Sequence, residues 1–414
     1  MTALYGVKPG APERIGARMT PEPSTGRVLL QRIGEQRIAA GHLWIYAGEI
    51  SDVKGSPAAG DIVDVHTLAG RSIGRGFFNP HSKIRVRLLT FDEEAIDEHF
   101  WAARLRRADE LRRKVVSETN AYRLVHGESD FLPGLIVDRY ADLLVMQTLS
   151  FGLDRRKDML AHLLAQLIKP EAIYVRNDSK SRALEGLSLS QGFLQGRRAT
   201  TVDIYEGLAR FEVDVERGQK TGWFCDQREN RRAVASIAKG MDVLEVFCHT
   251  GAFGIQAALH GAQSVLGIDV SAEALKSASR HADVNGVGAI CRYQEADAFD
   301  ALRTLARTDR RFDMVILDPP AFARSKHAIP HALAGYKDIN LQAIRLIRPE
   351  GFLATCSCSY HVGEQQFLAT IASAARDAKR QLKLIENRSQ ARDHPILATM
   401  PETRYLKCCI FQVI

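Results

Sequence analysis

The sequence predicts an α/β protein in which a mostly parallel sheet, wrapped by helices, occupies residues 203–414. A small β-barrel module and a small α+β unit precede it. Three observations carry this reading. After residue 203 short apolar runs alternate with amphipathic stretches, as in "DVLEVF", "GIQAALHG", "SVLGIDV" and "SAEALKSASRHADVNG", the signature of strands joined through helices to parallel neighbours. Residues 26–95 instead break into short β-type runs separated by Gly, Pro and Asn. The 414 residues also suffice for about two or three domains, each with its own core.

Composition narrows the class. Hydrophobic residues make up 45% and charged residues 25%, the proportions of an ordinary globular chain. No apolar run nears the ~18 residues of a membrane span. Residues 1–25, rich in Pro, Gly and Ala and aperiodic, read as a disordered leader without the apolar segment of a secretory signal, so the expected location is the cytoplasm. The net charge of +7 is compatible with a polyanionic partner but does not single one out.

In chain order, "RVLLQRI", "GHLWIYAGEI", "GDIVDVHT", "RSIGRGFF" and "SKIRVRLLT" read as strands of the first module (26–95). In "KIRVRLL", Ile84, Val86 and Leu88 share one face, while Lys83, Arg85 and Arg87 share the other, expected to be a solvated basic face. "DEHFWAARLRRADELRRKVV" places Phe100, Ala103, Leu105 and Leu111 at helical spacing and reads as a connecting helix. "LIVDRY", "LLVMQTL", "DRRKDMLAHLLAQLI" and "AIYVRND" then give the β–β–α–β order of a second unit, 96–202.

In an open α/β sheet, ligands gather at the carboxyl ends of the strands. Here "LEVFCHTGAFG" supplies Glu245, then Thr250, Gly251 and Gly254 in the turn to a helix. The spacing is neither G-x-G-x-x-G nor a phosphate loop. "VLGIDVS" ends on Asp269, suited to accept from both hydroxyls of a ribose, and "EADAFD" offers Asp297 to an adenine amino group. "LDPPAF" offers Asp318 beside the stiff Pro319-Pro320 turn. A single acid at such a place is most often a turn or helix cap; four polar strand ends in sheet order argue for a site.

All seven cysteines follow residue 220, without C-x-x-C spacing or a nearby histidine cluster. That is a poor disulfide framework and a poor metal site. The two in "TCSCSYHV", Cys356 and Cys358, therefore need another explanation.

The strings "VLEVFCHTGAFG", "GIDVS", "EADAF" and "VILDPPAF" resemble the cofactor motifs of class I S-adenosylmethionine-dependent methyltransferases. More closely, "ESDFLPGLIVDRY", "KTGWFCDQRENRR", "GYKDINLQAIRLI", "TCSCSYHV" and "DHPILATMPETRYLK" resemble the bacterial large-subunit ribosomal RNA cytosine-5 methyltransferases. The resemblance spans nearly the whole chain after residue 26. It implies a PUA domain, a central α+β domain and a Rossmann-like class I methyltransferase domain with a mostly parallel seven-stranded sheet. It also implies S-adenosyl-L-methionine as cofactor and a single-stranded or unwound region of ribosomal RNA as partner. On that resemblance Cys358 is the nucleophile, Asp318 holds the target base, Asp269 the cofactor ribose and Asp297 its adenine. Gln227 and Arg228 are expected to line the cofactor pocket, with Glu245, Thr250 and Gly251 beside them.

A thiol suits this chemistry, because its addition to carbon 6 of cytosine makes carbon 5 nucleophilic. Strand alternation puts Cys358 at the open end and Cys356 deeper, as packing. His361 is a candidate proton acceptor, although a loop histidine is commonly no more than that. The segment after S-C-S varies within that family, and Tyr360-His361-Val362 departs from the glycine-containing version of its best-known member, which leaves the exact nucleotide open. A homodimer through the C-terminal strands, methylation of guanine N7 or uracil C5, and a catalytically silent RNA-binding protein are the alternatives carried forward.

Overall fold

The computed structural model describes residues 22–323 and 325–414. The expected leader falls outside these residues as far as position 21. Residues 22–25 are already part of the fold: Glu22 pairs with Arg156, and the Thr25 amide donates to the Ile62 carbonyl at 3.0 Å.

The first module holds β1 (Gly26–Leu30), α1 (Arg32–Ala39), β2 (Trp44–Tyr46), β3 (Ile50–Gly55), β4 (Ile62–Thr67), β5 (Ser72–Phe78) and β6 (Ile84–Thr90). Its six strands run in the order β2-β6-β5-β4-β1-β3. Val28, Leu30, Val63, Val65, Val86 and Leu88 fill its centre. Of the basic residues expected on a solvated face, Lys83 is exposed, but Arg87 is not free in solvent. Arg87 donates to Glu128 at 3.2 Å and to Glu185 at 2.9 Å, which makes it an ion-paired seam against the next unit. Alternation reveals which residues share a face but not what covers it.

Helix α2 (Glu98–Val115) starts where the Asp97 carboxylate accepts from the Phe100 amide, and ends on Arg112, Arg113 and Lys114, matching the helix dipole at both ends. The central unit comprises β7 (Ala121–His126), β8 (Leu135–Tyr140), β9 (Leu143–Thr148), α3 (Phe151–Asp154), α4 (Lys157–Ile168), β10 (Ala172–Asn177) and β11 (Ser190–Gln195). These strands form one five-stranded sheet in which only β9 and β10 run parallel, across the α3–α4 crossover. Trp101 of α2, 1% exposed, stacks on Phe77 of β5 and ties the two units together. Gly152 lies against the same ring, and an added Cβ would sit 2.2 Å from Phe77 Cγ. Gly152→Ala is therefore expected to cost about 1–3 kcal/mol of stability, read from the shift of the urea unfolding midpoint at constant slope.

A hairpin, β12 (Thr201–Glu206) and β13 (Ala209–Asp214), leads into the third unit. There follow α5 (Arg228–Ser236), β14 (Asp242–Val246), α6 (Ala252–Leu259), β15 (Ser264–Asp269), α7 (Ala272–Val284) and β16 (Cys291–Glu295). The chain continues through α8 (Ala298–Ala306), β17 (Phe312–Leu317), α9 (Ile329–Leu346), β18 (Ile347–Ser357), α10 (Glu364–Asp377), β19 (Leu382–Arg388) and β20 (Lys407–Val413). The seven strands run β16-β15-β14-β17-β18-β20-β19, parallel except for β20, which is antiparallel to both neighbours. Alternate residues feed two cores: Val243, Val265, Met314 and Cys356 on one face, Leu244, Leu266, Val315 and Leu353 on the other. Burial of both faces explains why these strands read as continuous apolar runs. Because β20 is paired on both sides, it is not free to pair across a dimer. Among the described residues no helix is long and apolar enough to cross a membrane.

Candidate active site

The strand order reverses at β14, which has β15 on one side and β17 on the other. Crevices in open sheets form at this switch point, beyond the carboxyl ends. The loop after β14 is forced into an unusual path: Phe247, His249 and Gly251 all have positive φ, at 63°, 48° and 75°. At Gly251 a Cβ would meet the Tyr293 hydroxyl at 2.6 Å, so glycine is required there for space as well as for φ. Glu245, 2% exposed, organises the loop from beneath by accepting from the Phe253 amide at 3.2 Å and the Gly254 amide at 2.9 Å. Burial pushes its carboxyl up to about 8 despite those two donors. Glu245 therefore shapes the N-terminus of α6 and does not offer both oxygens to a ligand.

Asp269 accepts from the His249 amide at 2.8 Å through one oxygen and from the Ser271 amide at 2.9 Å through the other. Each carboxylate oxygen has room for a further donor. Asp297 caps α8, its Oδ1 accepting from the Phe299 and Asp300 amides, and is exposed. The capping role weighed from the sequence is thus present. The Thr250 carbonyl lies 3.2 Å from His281 Nδ1.

Beyond β17, Asp318 Oδ1 accepts from Gln227 Nε2 at 2.9 Å, and Gln227 Oε1 accepts in turn from Asn230 at 2.6 Å. Gln227 thus fixes the orientation of Asp318. Arg228 departs from expectation: both its donor arms are taken by Asp393, at 3.0 and 3.1 Å, so it braces the fold and does not line a pocket. Burial, with the Asp226 carboxylate nearby, lifts the Asp318 carboxyl to about 6.

Cys358 is the first residue after β18, with its Sγ 3.8 Å from the Pro319 carbonyl. The flanking serines explain the S-C-S pattern. Ser357 Oγ donates to the Tyr336 hydroxyl at 2.9 Å, and Ser359 Oγ lies 2.8 Å from that same hydroxyl. Both serines being held inward, the residue between them faces the other way. Among the seven cysteines Cys358 alone is not buried, whereas Cys356 is 0% exposed and sits opposite Cys408 on β20. Burial and the Asp318 charge push the Cys358 thiol up to about 11. His361 lies beside the exposed Tyr360, their ring centroids 5.1 Å apart.

Several residues of this region were not singled out by sequence reasoning. Lys220 Nζ is 2.9 Å from Asp226 Oδ2, to which the Tyr405 hydroxyl also donates at 2.6 Å. Lys407 donates to the Ser359 and Val362 carbonyls, both at 2.8 Å, and pins the turn that follows Cys358. Their positions inside "KTGWFCDQ" and "ETRYLK", two of the strings that carry the family resemblance, were the available signal.

Asp269 has lone pairs left for a diol such as a ribose offers. No acid there is arranged with others to hold a metal ion among the described residues.

Comparison with known proteins agrees with this geometry. Residues 28–91 match the model of a PUA-like domain, and residues 186–408 match that of an S-adenosylmethionine-dependent methyltransferase. The ribosomal RNA large subunit methyltransferase I of Shewanella denitrificans is 43% identical over 393 residues, covering 94% of this chain and 99% of its own. The protein of the same description from Alteromonas mediterranea is 39% identical over the same shares. Among solved structures, an S-adenosylmethionine-dependent methyltransferase from Streptococcus mutans superposes with a TM-score of 0.80 at 19% identity, covering 93% of this chain and 99% of that one. A methyltransferase solved with S-adenosylhomocysteine superposes with a TM-score of 0.81 over the same shares, again at 19% identity. The chain belongs to the PUA-bearing S-adenosylmethionine-dependent methyltransferases, the family that includes these large subunit methyltransferases I.

Proposed function

We propose that the chain methylates carbon 5 of a cytosine in large-subunit ribosomal RNA, through a covalent adduct on Cys358. The observation that carries this reading is the thiol of Cys358, the one cysteine not buried, held next to Asp318-Pro319 at the switch point of a methyltransferase sheet. Ribosomal RNA is the substrate named for relatives that match this chain almost end to end, and a PUA-like domain accompanies the site.

The chemistry follows from the placement. Carbon 5 of cytosine is a weak nucleophile until a thiolate adds at carbon 6, forming the Sγ–C6 bond and moving the C5=C6 electron pair into the ring. Asp318, with its carboxyl near 6, carries the proton that ring nitrogen 3 takes as this charge develops. S-adenosyl-L-methionine, when bound, supplies an electrophilic methyl carbon to carbon 5. A base, for which His361 is the candidate, removes the carbon-5 proton; the double bond re-forms, Sγ leaves as thiolate, and the nitrogen-3 proton returns to Asp318. Asp269 holds the ribose hydroxyls, Asp297 the adenine amino group, and Thr250 and Gly251 border the same cofactor. Gln227 keeps Asp318 aimed. The target base must leave its stack to reach Asp318, so a single-stranded or unwound segment is the substrate region.

Nucleoside mass spectrometry of large-subunit ribosomal RNA incubated with the purified protein and S-adenosyl-L-methionine tests the reading. The expected product is 5-methylcytidine. Appearance of 5-methyluridine or 7-methylguanosine in its place, or of no methylated nucleoside, overturns it.

A further inference from the structure

The thiol of Cys358 poses a problem that its neighbours offset only in part. Partly shielded from water and beside two carboxylates, Asp318 and Asp226, it is pushed up to about 11, away from the ionised form that a nucleophile needs. The charged and titratable groups facing it come from every element packed there: Asp318 after β17, Asp226 and Lys220 from the segment before α5, Lys407 on β20 and Tyr336 on α9. Two of these are cations. Lys407 has two of its donors committed to backbone carbonyls, and burial draws its ammonium down to about 8.

Lys220 differs in each respect. Its side chain is 45% exposed, so its ammonium is hydrated. Its backbone has φ +54°, a left-handed conformation that costs a non-glycine residue energy and persists only where the surroundings impose it. The surroundings here do so. Next to it, Thr221 is 0% exposed and donates to Asp138 of β8 at 2.5 Å, while a Cβ at Gly218 would meet the Asp214 carbonyl at 2.4 Å. The segment is fixed at Thr221 and closely packed at Gly218, and Lys220 between them reaches Asp226 and Phe224. Its ammonium sits 4.5 Å above the Phe224 ring and 2.9 Å from Asp226, and Phe224 packs edge-on against His249 of the cofactor loop. Asp226 Oδ1 is buried without a hydrogen-bond partner, so this carboxylate is left half-compensated.

We propose that Lys220, held in its left-handed turn over Asp226 and Phe224, is the positioning cation that keeps Cys358 reactive by neutralising Asp226 and stabilising the thiolate. The step concerned is ionisation alone: the Sγ–H bond breaks, the proton passes to water, and the electron pair stays on sulfur for addition to the base. Lys220 remains protonated throughout and acts on the reaction through Cys358. The inference deepens the function proposed above and rests on Cys358 as its nucleophile.

Alkylation of the free protein by iodoacetamide between pH 7 and 10, with the modified cysteine identified by mass spectrometry, reads this coupling without RNA. In Lys220→Met the Cys358 rate at each pH is expected to fall about tenfold, equivalent to the thiol moving up by ~1 pH unit. Lys220→Arg is expected to restore the wild-type line. Asp226→Asn removes the opposing charge and is expected to move the line the other way, towards faster reaction. A Lys220→Met profile lying on the wild-type one, or a slowing in Asp226→Asn as well, overturns the proposal. Persistence of 5-methylcytidine formation by Cys358→Ala would instead overturn the nucleophile assignment, whatever the alkylation lines show.

Discussion

Cys358→Ala is expected to lose methyl transfer by on the order of 10⁴-fold or more, while Cys356→Ala stays within about threefold of wild type. The two sulfurs are one residue apart on either side of Ser357, yet they have different surroundings. Cys356 is fully buried within the sheet core beside Cys408 and has no path to a substrate. Its truncation removes one sulfur from packing, worth about 1 kcal/mol of stability. On the proposed mechanism Cys358 adds to the base, and no neighbouring hydroxyl is placed to replace it, because Ser357 and Ser359 are both turned inward to Tyr336. Initial rates with labelled S-adenosyl-L-methionine measure the loss. RNA containing 5-fluorocytosine separates the mechanism from mere binding: its carbon 5 bears no removable proton after methylation, so the Sγ–C6 adduct persists. A band surviving denaturing electrophoresis is expected with wild type and with Cys356→Ala, and none with Cys358→Ala. A stable adduct in Cys358→Ala would exclude the assignment.

The parts of this site that could be read in the sequence are those where one residue type has one reason to be there. Asp269 and Asp318 end buried strands, where a carboxylate otherwise has no place, and the structure puts both at the switch point. The rank of Cys358 over Cys356 followed from distance along the strand. What escaped the sequence depends on contacts between units. Arg87 has the alternation of a solvated residue, but Glu128 and Glu185 of the central unit cover it. Arg228 has the sequence of a pocket residue, but Asp393, 165 positions away, takes its guanidinium. Asp393 also accepts from the Arg123 amide, so one carboxylate ties β7 to α5. Burial raises the carboxyl of Asp393, yet His394 and Arg228 outweigh burial and hold it well below the ordinary range. No local pattern encodes a partner so distant. Glu245 was legible as a site residue and not as a structural one, because only the fold shows that its oxygens are taken by the Phe253 and Gly254 amides.

Asp318→Asn is expected to lower transfer about 10²–10⁴-fold at pH 7 and to change its pH dependence, while making the fold more stable. In wild type, raising the pH yields more Cys358 thiolate, since that thiol lies near 11, but leaves less protonated Asp318, whose carboxyl lies near 6. Each change is one proton, so between about pH 7 and 9 they cancel and kcat/KM is expected to be flat. Asparagine still accepts from Gln227, preserving the geometry, but has no proton to give. Only the thiolate fraction then matters, and the residual rate should rise about tenfold per pH unit over the same range. A flat profile in Asp318→Asn would show that Asp318 does not carry that proton. The stability change has the opposite sign to the activity change. Because the folded carboxyl is raised from 3.8 to about 6, its favourable contribution is complete below pH 3.8 and is lost as the pH rises through 6. Above pH 6 the native state therefore carries a buried charge that costs up to about 3 kcal/mol, and the neutral amide removes it. Thermal unfolding of the two proteins should coincide near pH 4 and separate above pH 6, with Asp318→Asn the more stable. On the proposed mechanism, the carboxylate that destabilises its own fold at working pH has its use in the proton it carries to the substrate.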